Sequence, residues 1–142
     1  MNIGAIALAT FAAFLIGFAW FNGKTFYPAW YRALGKEVPQ RPEKMSKDDI
    51  REGNIMFAGT LASQVAQAIG VALVVDLYAK AYGSVDALTG AGIGLMLGLC
   101  IAAFTSLPHR LFSGQGFKVW LIEIGGDVIA LIAMGAIIAW LS

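Results

Sequence analysis

The chain has 142 residues, 58% of them hydrophobic and only 13% charged, and its formal net charge is +1. Soluble domains usually carry about 45–50% apolar and about 25% charged residues, so this balance, with a mean hydropathy of +0.71, belongs to an integral membrane protein. The net charge argues nothing about nucleic acid, but no basic cluster is interleaved with aromatics in the manner of a nucleic-acid surface, and the length leaves room for one compact multi-span domain and no separate soluble module.

The first apolar run, Ile3 to Phe21, is close to the roughly 20 residues that cross the hydrocarbon core. No Lys or Arg precedes it and bulky "AWFNG" follows it, which reads as a retained helix rather than a cleaved signal peptide. Trp20 and Phe21 mark its interfacial end. The connection 22–54 is the main polar segment. Its "KTFYPAWYRALGKE" stretch mixes aromatics with Lys24, Arg32 and Lys36, a composition suited to the headgroup region. "VPQRPEK" reads as extended, because proline disfavours helix in the residue before it.

"MSKDDI" then supplies a helix start, with Ser46 as cap, Asp49 three residues on in the manner of a capping box, and Asp48 suited to the helix dipole. A second span is expected over 55–78, a third over 87–107, stopped by Pro108, and a fourth over 117–141. "PHRLFSGQG" is expected to be the loop between the last two. The expected fold is therefore all-α: a polytopic membrane protein with four transmembrane helices in one compact bundle, residues 1–142.

Orientation follows from Lys and Arg in the short connections. The first connection holds Lys24, Arg32, Lys36, Arg41, Lys44, Lys47 and Arg51, the third holds Arg110 and Lys118, and the second only Lys80. That asymmetry places both termini away from the cytoplasm.

In a bilayer, helices associate through small residues and interhelical hydrogen bonds rather than through apolar burial. Gly90, Gly94, Gly98 and Ala102 form one four-residue ladder, Ala58, Ala62, Ala66 and Gly70 another, and Gly125, Gly126, Ala130 and Ala133 give the fourth span a small side. These ladders support a tight bundle, with contacts either within one chain or between chains.

Thr60, Ser63, Gln64 and Gln67 put a polar stripe beside the second ladder, and Glu123 and Asp127 share one face of the fourth span. Asp127 falls near the middle of its span, where an acid costs roughly 2.5–3.5 kcal/mol and needs a partner, water or a proton. The stripe is therefore expected to face inward and meet the carboxyl groups, as structural glue or as a proton- or ligand-handling site. Glu123, nearer the surface, is within reach of Arg110 or Lys118. Asp76 has Lys80 at i+4 as a ready partner.

Cys100 and His109 are the only residues of their kinds. An intramolecular disulfide is impossible, Cys100 is expected to be a buried packing residue, and metal sites of the usual Cys/His kind are not expected. No cofactor motif and no nucleophile–base arrangement occurs, so an enzyme is not the expected reading.

Two stretches resemble the domain of unknown function 1761 family. One is "IGFAWFNGKTFYPAWYRALG", Ile16 to Gly35, with its Gly, its Trp and aromatic, and then a further Trp and Gly. The other is "RLFSGQGFKVWLIEIGGDVIALIAMGAIIAWL", Arg110 to Leu141. The resemblance implies a small bacterial integral membrane protein and supplies no catalytic residues. Two functional readings stand. The first is a small inner-membrane protein acting as an interaction or accessory component, as a homo-oligomer or with a membrane-protein partner. The second is a small proton-coupled transporter or permeation unit, acting as a dimer around Gln64, Gln67, Glu123 and Asp127.

Overall fold

A computed structural model describes residues 2–38 and 46–142. The described chain is helical, 84% helix without strands. It comprises α1 (Ile3–Trp20), α2 (Tyr27–Ala33), α3 (Lys47–Tyr82), α4 (Ala87–Met96), a π-helical segment (Leu97–Ala103), α5 (Phe104–Phe112) and α6 (Gly116–Trp140). Segments α4 to α5 form one continuous rod, Ala87–Phe112, and with α1, α3 and α6 it makes four helices long and apolar enough to cross a membrane. Most of "VPQRPEK" lies outside the described residues, as do Arg41 and Lys44.

Polar side chains start the helices where the first backbone N–H groups lack partners. Asn2 accepts from Gly4 N at 2.9 Å, and its own amide donates to Leu141 O at 2.9 Å, which ties the two chain ends together. Ser46 and Asp49 form the full capping box expected of them, with Ser46 N donating to Asp49 at 2.7 Å and Asp49 N donating to Ser46 Oγ at 3.1 Å. Asp86 caps α4 by accepting from Thr89 N at 2.7 Å. The Asp76–Lys80 pair closes at 2.8 Å near the end of α3.

Helix α6 is the hub, and α4 lies closest to it. A Cβ added at Gly90 would collide with Gly135 O, and one at Gly94 with Leu131 O; at Gly98 it would sit 3.2 Å from Val128 Cα. The third-span glycine ladder thus lets two backbones touch, so that its contacts are made within this chain. On another side of α6, helix α1 buries Ala5, Ala9 and Ala13, a small-residue ladder that the sequence reading passed over because it is embedded in a continuous apolar run. Trp20 fits a notch that only glycine leaves open: a Cβ at Gly125 would lie 2.8 Å from its ring. Its Nε1 donates to Ile122 O at 2.8 Å.

Three expectations need correction. Pro108 does not end the third span; the helix runs through it to Phe112. The π segment lies just before it, and Ala103 O, at the junction, accepts from Trp120 Nε1 at 2.9 Å and from Ser106 Oγ at 3.0 Å. These two donors serve the carbonyl at the end of the π segment, whereas the carbonyl that Pro108 leaves without its helical partner is that of Phe104, four residues back. His109 consequently sits in a helix, and the loop shrinks to a turn around Gly114, whose φ is +74°. Lastly, Cys100 is exposed, because it lies two residues from Gly98, which faces α6, and so on the opposite side of the helix.

Helix α3, at 36 residues, spans about 54 Å and exceeds the roughly 30 Å hydrocarbon core. Only its later half joins the bundle, through Ala68, Val71, Ala72 and Val75. From Lys47 to Ser63 every residue is exposed. Phe57 still touches α1 through an edge-to-face contact with Phe14 at 5.3 Å, beside an apolar groove of about 550 Å³ lined by Phe11, Leu61 and Val65.

Candidate functional site

The polar residues gather at two levels of α6. The outer level is a node at the α2 end of the bundle. Glu123 Oε2 pairs with Arg110 Nε at 2.6 Å, and Glu123 Oε1 accepts from Trp30 Nε1 at 2.9 Å. Arg110 also donates to Gln115 Oε1 at 2.8 Å. The node joins α2, α5, the following turn and α6. A charge-assisted, partly buried pair of this kind is stronger than an exposed one, and both carboxylate oxygens are used. Sequence spacing offered Arg110 to Glu123. The Trp30 contact crosses 93 positions and leaves no local signal. Aromatic stacking builds the same end, with Trp20 over Phe26 at 4.1 Å and Trp30 edge-on to Phe21 at 5.7 Å.

The inner level is Asp127, one turn further along α6. It lies on the face that carries Met134, Ile138 and Leu141. That face looks towards α3, because Ile138 and Leu141 share a cavity with Val75 and Ala79. The two helices run in parallel, since α1 is antiparallel to each. At the other end of α3, Phe57 packs on Phe14 of α1, so the two helices are not in uniform register along their length. Asp127 is exposed, and no hydrogen bond or ion pair joins it to α3 among the described residues.

The stripe on α3 divides accordingly. Thr60 and Ser63 are exposed, while Gln64 and Gln67 are half-buried. Thr60 Oγ1 donates to Met56 O at 2.8 Å and Gln67 Nε2 to Ser63 Oγ at 3.1 Å, so these groups are satisfied within their own helix. Gln64 Oε1 is fully buried and has no hydrogen-bond partner among the described residues. No hydrogen bond joins the stripe to Glu123 or Asp127 among those residues. The inward-facing carboxyl–amide cluster expected from depth alone is therefore resolved into separate parts: an occupied Glu123 node, an unpartnered Asp127 and an unpartnered Gln64.

The second-span ladder has the opposite fate to that of the third. Ala58, Ala62, Ala66 and Gly70 are all exposed, and a Cβ added at Gly70 or Gly59 meets nothing within 4 Å. On a helical projection Gly59, Ala62, Ser63, Ala66 and Gly70 form a seam opposite the buried Ala68, Val71, Ala72 and Val75.

The family model described as "Protein of unknown function (DUF1761)" matches residues 4–139. No curated protein and no solved structure matches the chain.

Proposed function

The chain belongs to the DUF1761 family of proteins of unknown function, and from that premise we propose that it is a multi-pass protein of the bacterial inner membrane that works as an interaction component. Its docking surface is the outer face of α3, and it associates there with a second copy or with a helix of another membrane protein. One contrast carries this reading. The glycine ladder of α4 is spent against α6, whereas the seam of Gly59, Ala62, Ser63, Ala66 and Gly70 on α3 is left open. Lipid tails gain nothing from small residues, but another helix does, because it can then approach the backbone closely. Thr60 and Ser63 add hydroxyl groups that can donate and accept at the edge of the seam. The connections rich in Lys and Arg face the cytoplasm in this arrangement, with both termini on the far side.

The test is the mass of the complex extracted gently from its own membrane, for wild type and for Ala62→Leu and Ala66→Leu. An assembly that both substitutions reduce to monomer supports the reading. A wild-type monomer with no bound protein overturns it.

A second reading, a proton-coupled permeation unit acting as a dimer, is favoured by one observation. Asp127 lies midway along α6, exposed and without a hydrogen bond or ion pair among the described residues. Uptake or efflux driven by a proton gradient in reconstituted vesicles, lost in Asp127→Asn, would support it; no proton-linked flux would count against it.

A further inference from the structure

We propose that the α2 end of the bundle holds an anionic phospholipid headgroup, with Lys24 and Lys118 taking its phosphate beside the stacked rings of Trp20 and Phe26. The first observation is depth. Helix α1 has 18 residues and is about 27 Å long, close to the roughly 30 Å of the hydrocarbon core. Both its ends are tied to α6: Asn2 donates to Leu141 O at 2.9 Å and Trp20 Nε1 to Ile122 O at 2.8 Å. The stretch of α6 from Gly116 to Leu121 therefore runs on past the end of α1 by about 9 Å, through the depth of the headgroups.

Apolar exposure at this level points to lipid rather than open water. Phe112 is 93% exposed, Phe117 56% and Leu111 50%, all at the turn that joins α5 to α6. Trp20 stacks on Phe26 at 4.1 Å, and Tyr27, Trp30 and Tyr31 continue the aromatic cluster through α2. Trp and Tyr side chains gather where a membrane meets water.

The charge at this end fits an anion. Lys24 lies in the turn that Phe26 N closes by donating to Trp20 O at 3.1 Å, at the rim of the Trp20–Phe26 stack. Lys118 stands seven residues before Gly125 and so shares its face of α6, the face on which Trp20 packs, about two turns further out. Two ammonium groups thus flank one aromatic stack. Both lysines are exposed, and neither is in an ion pair among the described residues. Arg32 and Lys36 add positive charge against Glu37, and Glu123 is already neutralised by Arg110. The acids Asp48, Asp49 and Glu52 belong to the start of α3, together with Lys47 and Arg51. A lipid phosphate offers acceptors to the Lys24 and Lys118 donors, while its acyl chains enter the hydrocarbon beside α1. The site uses neither the outer seam of α3 nor Asp127, so it goes beyond the readings above and can fail without them.

The experiment uses the full chain in nanodiscs of phosphatidylcholine, alone or mixed with phosphatidylglycerol. The thermal midpoint is measured for wild type, for the double variant Lys24→Gln with Lys118→Gln, and for Lys47→Gln with Arg51→Gln, which removes the same charge from the start of α3. A wild-type rise on the order of 3 °C with phosphatidylglycerol, lost in the first double variant and kept in the second, supports the site. A flat wild type overturns the proposal, as does a rise that survives Lys24→Gln with Lys118→Gln. Equal loss in both double variants also overturns it, because diffuse attraction to a charged surface then accounts for the effect. A rise of the same size from glycerol phosphate added to phosphatidylcholine discs assigns a free phosphate ester and refutes the lipid. Tryptophan fluorescence of wild type gives a reading that needs no variant. Stronger quenching by brominated phosphatidylglycerol than by equally brominated phosphatidylcholine supports the preference, and equal quenching refutes it.

Discussion

Trp30 Nε1 donates to Glu123 Oε1 across 2.9 Å and so pins the short α2 onto the central α6. Helix α2 has only 7 residues and no side-chain hydrogen bond at its start, so it is too short to hold its shape alone. Its order comes from tertiary contacts: this hydrogen bond and the aromatic contacts of Trp30 with Phe21 and Tyr27. The other oxygen of the same carboxylate holds Arg110, so one side chain fixes both the segment after the first span and the end of the third.

Trp30→Phe keeps the ring and removes the donor. A hydrogen bond to a charged group contributes about 1.5–3 kcal/mol, and the loss should fall on α2. Amide hydrogen exchange at Tyr31 to Leu34 should accelerate, with little change inside α6. Glu123→Gln should do more damage, because it also leaves Arg110 without its counter-charge. Equal exchange in wild type and both variants would show that the node does not order α2.

Gly94→Ala should be much worse than Gly92→Ala. At Gly94 the new Cβ would collide with Leu131 O of α6, a backbone atom that cannot turn aside, whereas at Gly92 nothing lies within 4 Å. Overpacking costs about 1–3 kcal/mol, and here α4 must move away from α6. The thermal midpoint of the detergent-solubilised protein measures this. Similar midpoints for the two variants would contradict the close backbone approach.

Asp86 lies between the second and third spans, and its hydrogen bond from Thr89 N holds the carboxyl below its ordinary value of 3.8. A lowered carboxyl pKa adds stability above the ordinary value, and that contribution is lost as pH falls through the lowered one. Asp86→Asn keeps a capping side chain that does not titrate. The variant should therefore lose less stability than wild type when pH is taken below 3.8. Parallel acid limbs for the two proteins would rule this contribution out.

Topology can be read with a membrane-impermeant thiol reagent on intact cells, in a Cys100→Ser background. Ser84→Cys should label from outside, while Ser113→Cys should label only after the membrane is opened, because the turns containing Ser84 and Ser113 lie at opposite ends of the rod Ala87–Phe112. The reverse pattern would invert the proposed orientation while leaving the fold intact.

The four spans were legible because each is a continuous stretch answering one condition, the thickness of hydrocarbon that it must cross. The capping box of Ser46 and Asp49 and the Asp76–Lys80 pair were legible for a similar reason, since both partners lie within one helical turn of each other. Pro108 misled because the rule that proline ends a helix assumes water as the alternative solvent. Within a membrane-spanning rod the helix instead carries Pro108 in its interior, about one turn after a π segment. The site was half legible: Glu123 and Arg110 are close in sequence, but Trp30 reaches the carboxylate only through the fold.

The sequence by itself determined that this chain is a membrane protein of four spans, and roughly where each begins and ends. Depth and length are properties of single segments. The tertiary structure alone decided that the glycine ladder of α4 is consumed against α6 while that of α3 is left open, and that Glu123 is neutralised while Asp127 is not. Those outcomes depend on how each helix is rotated and where α3 diverges from its neighbours, and rotation and divergence are set by packing between segments.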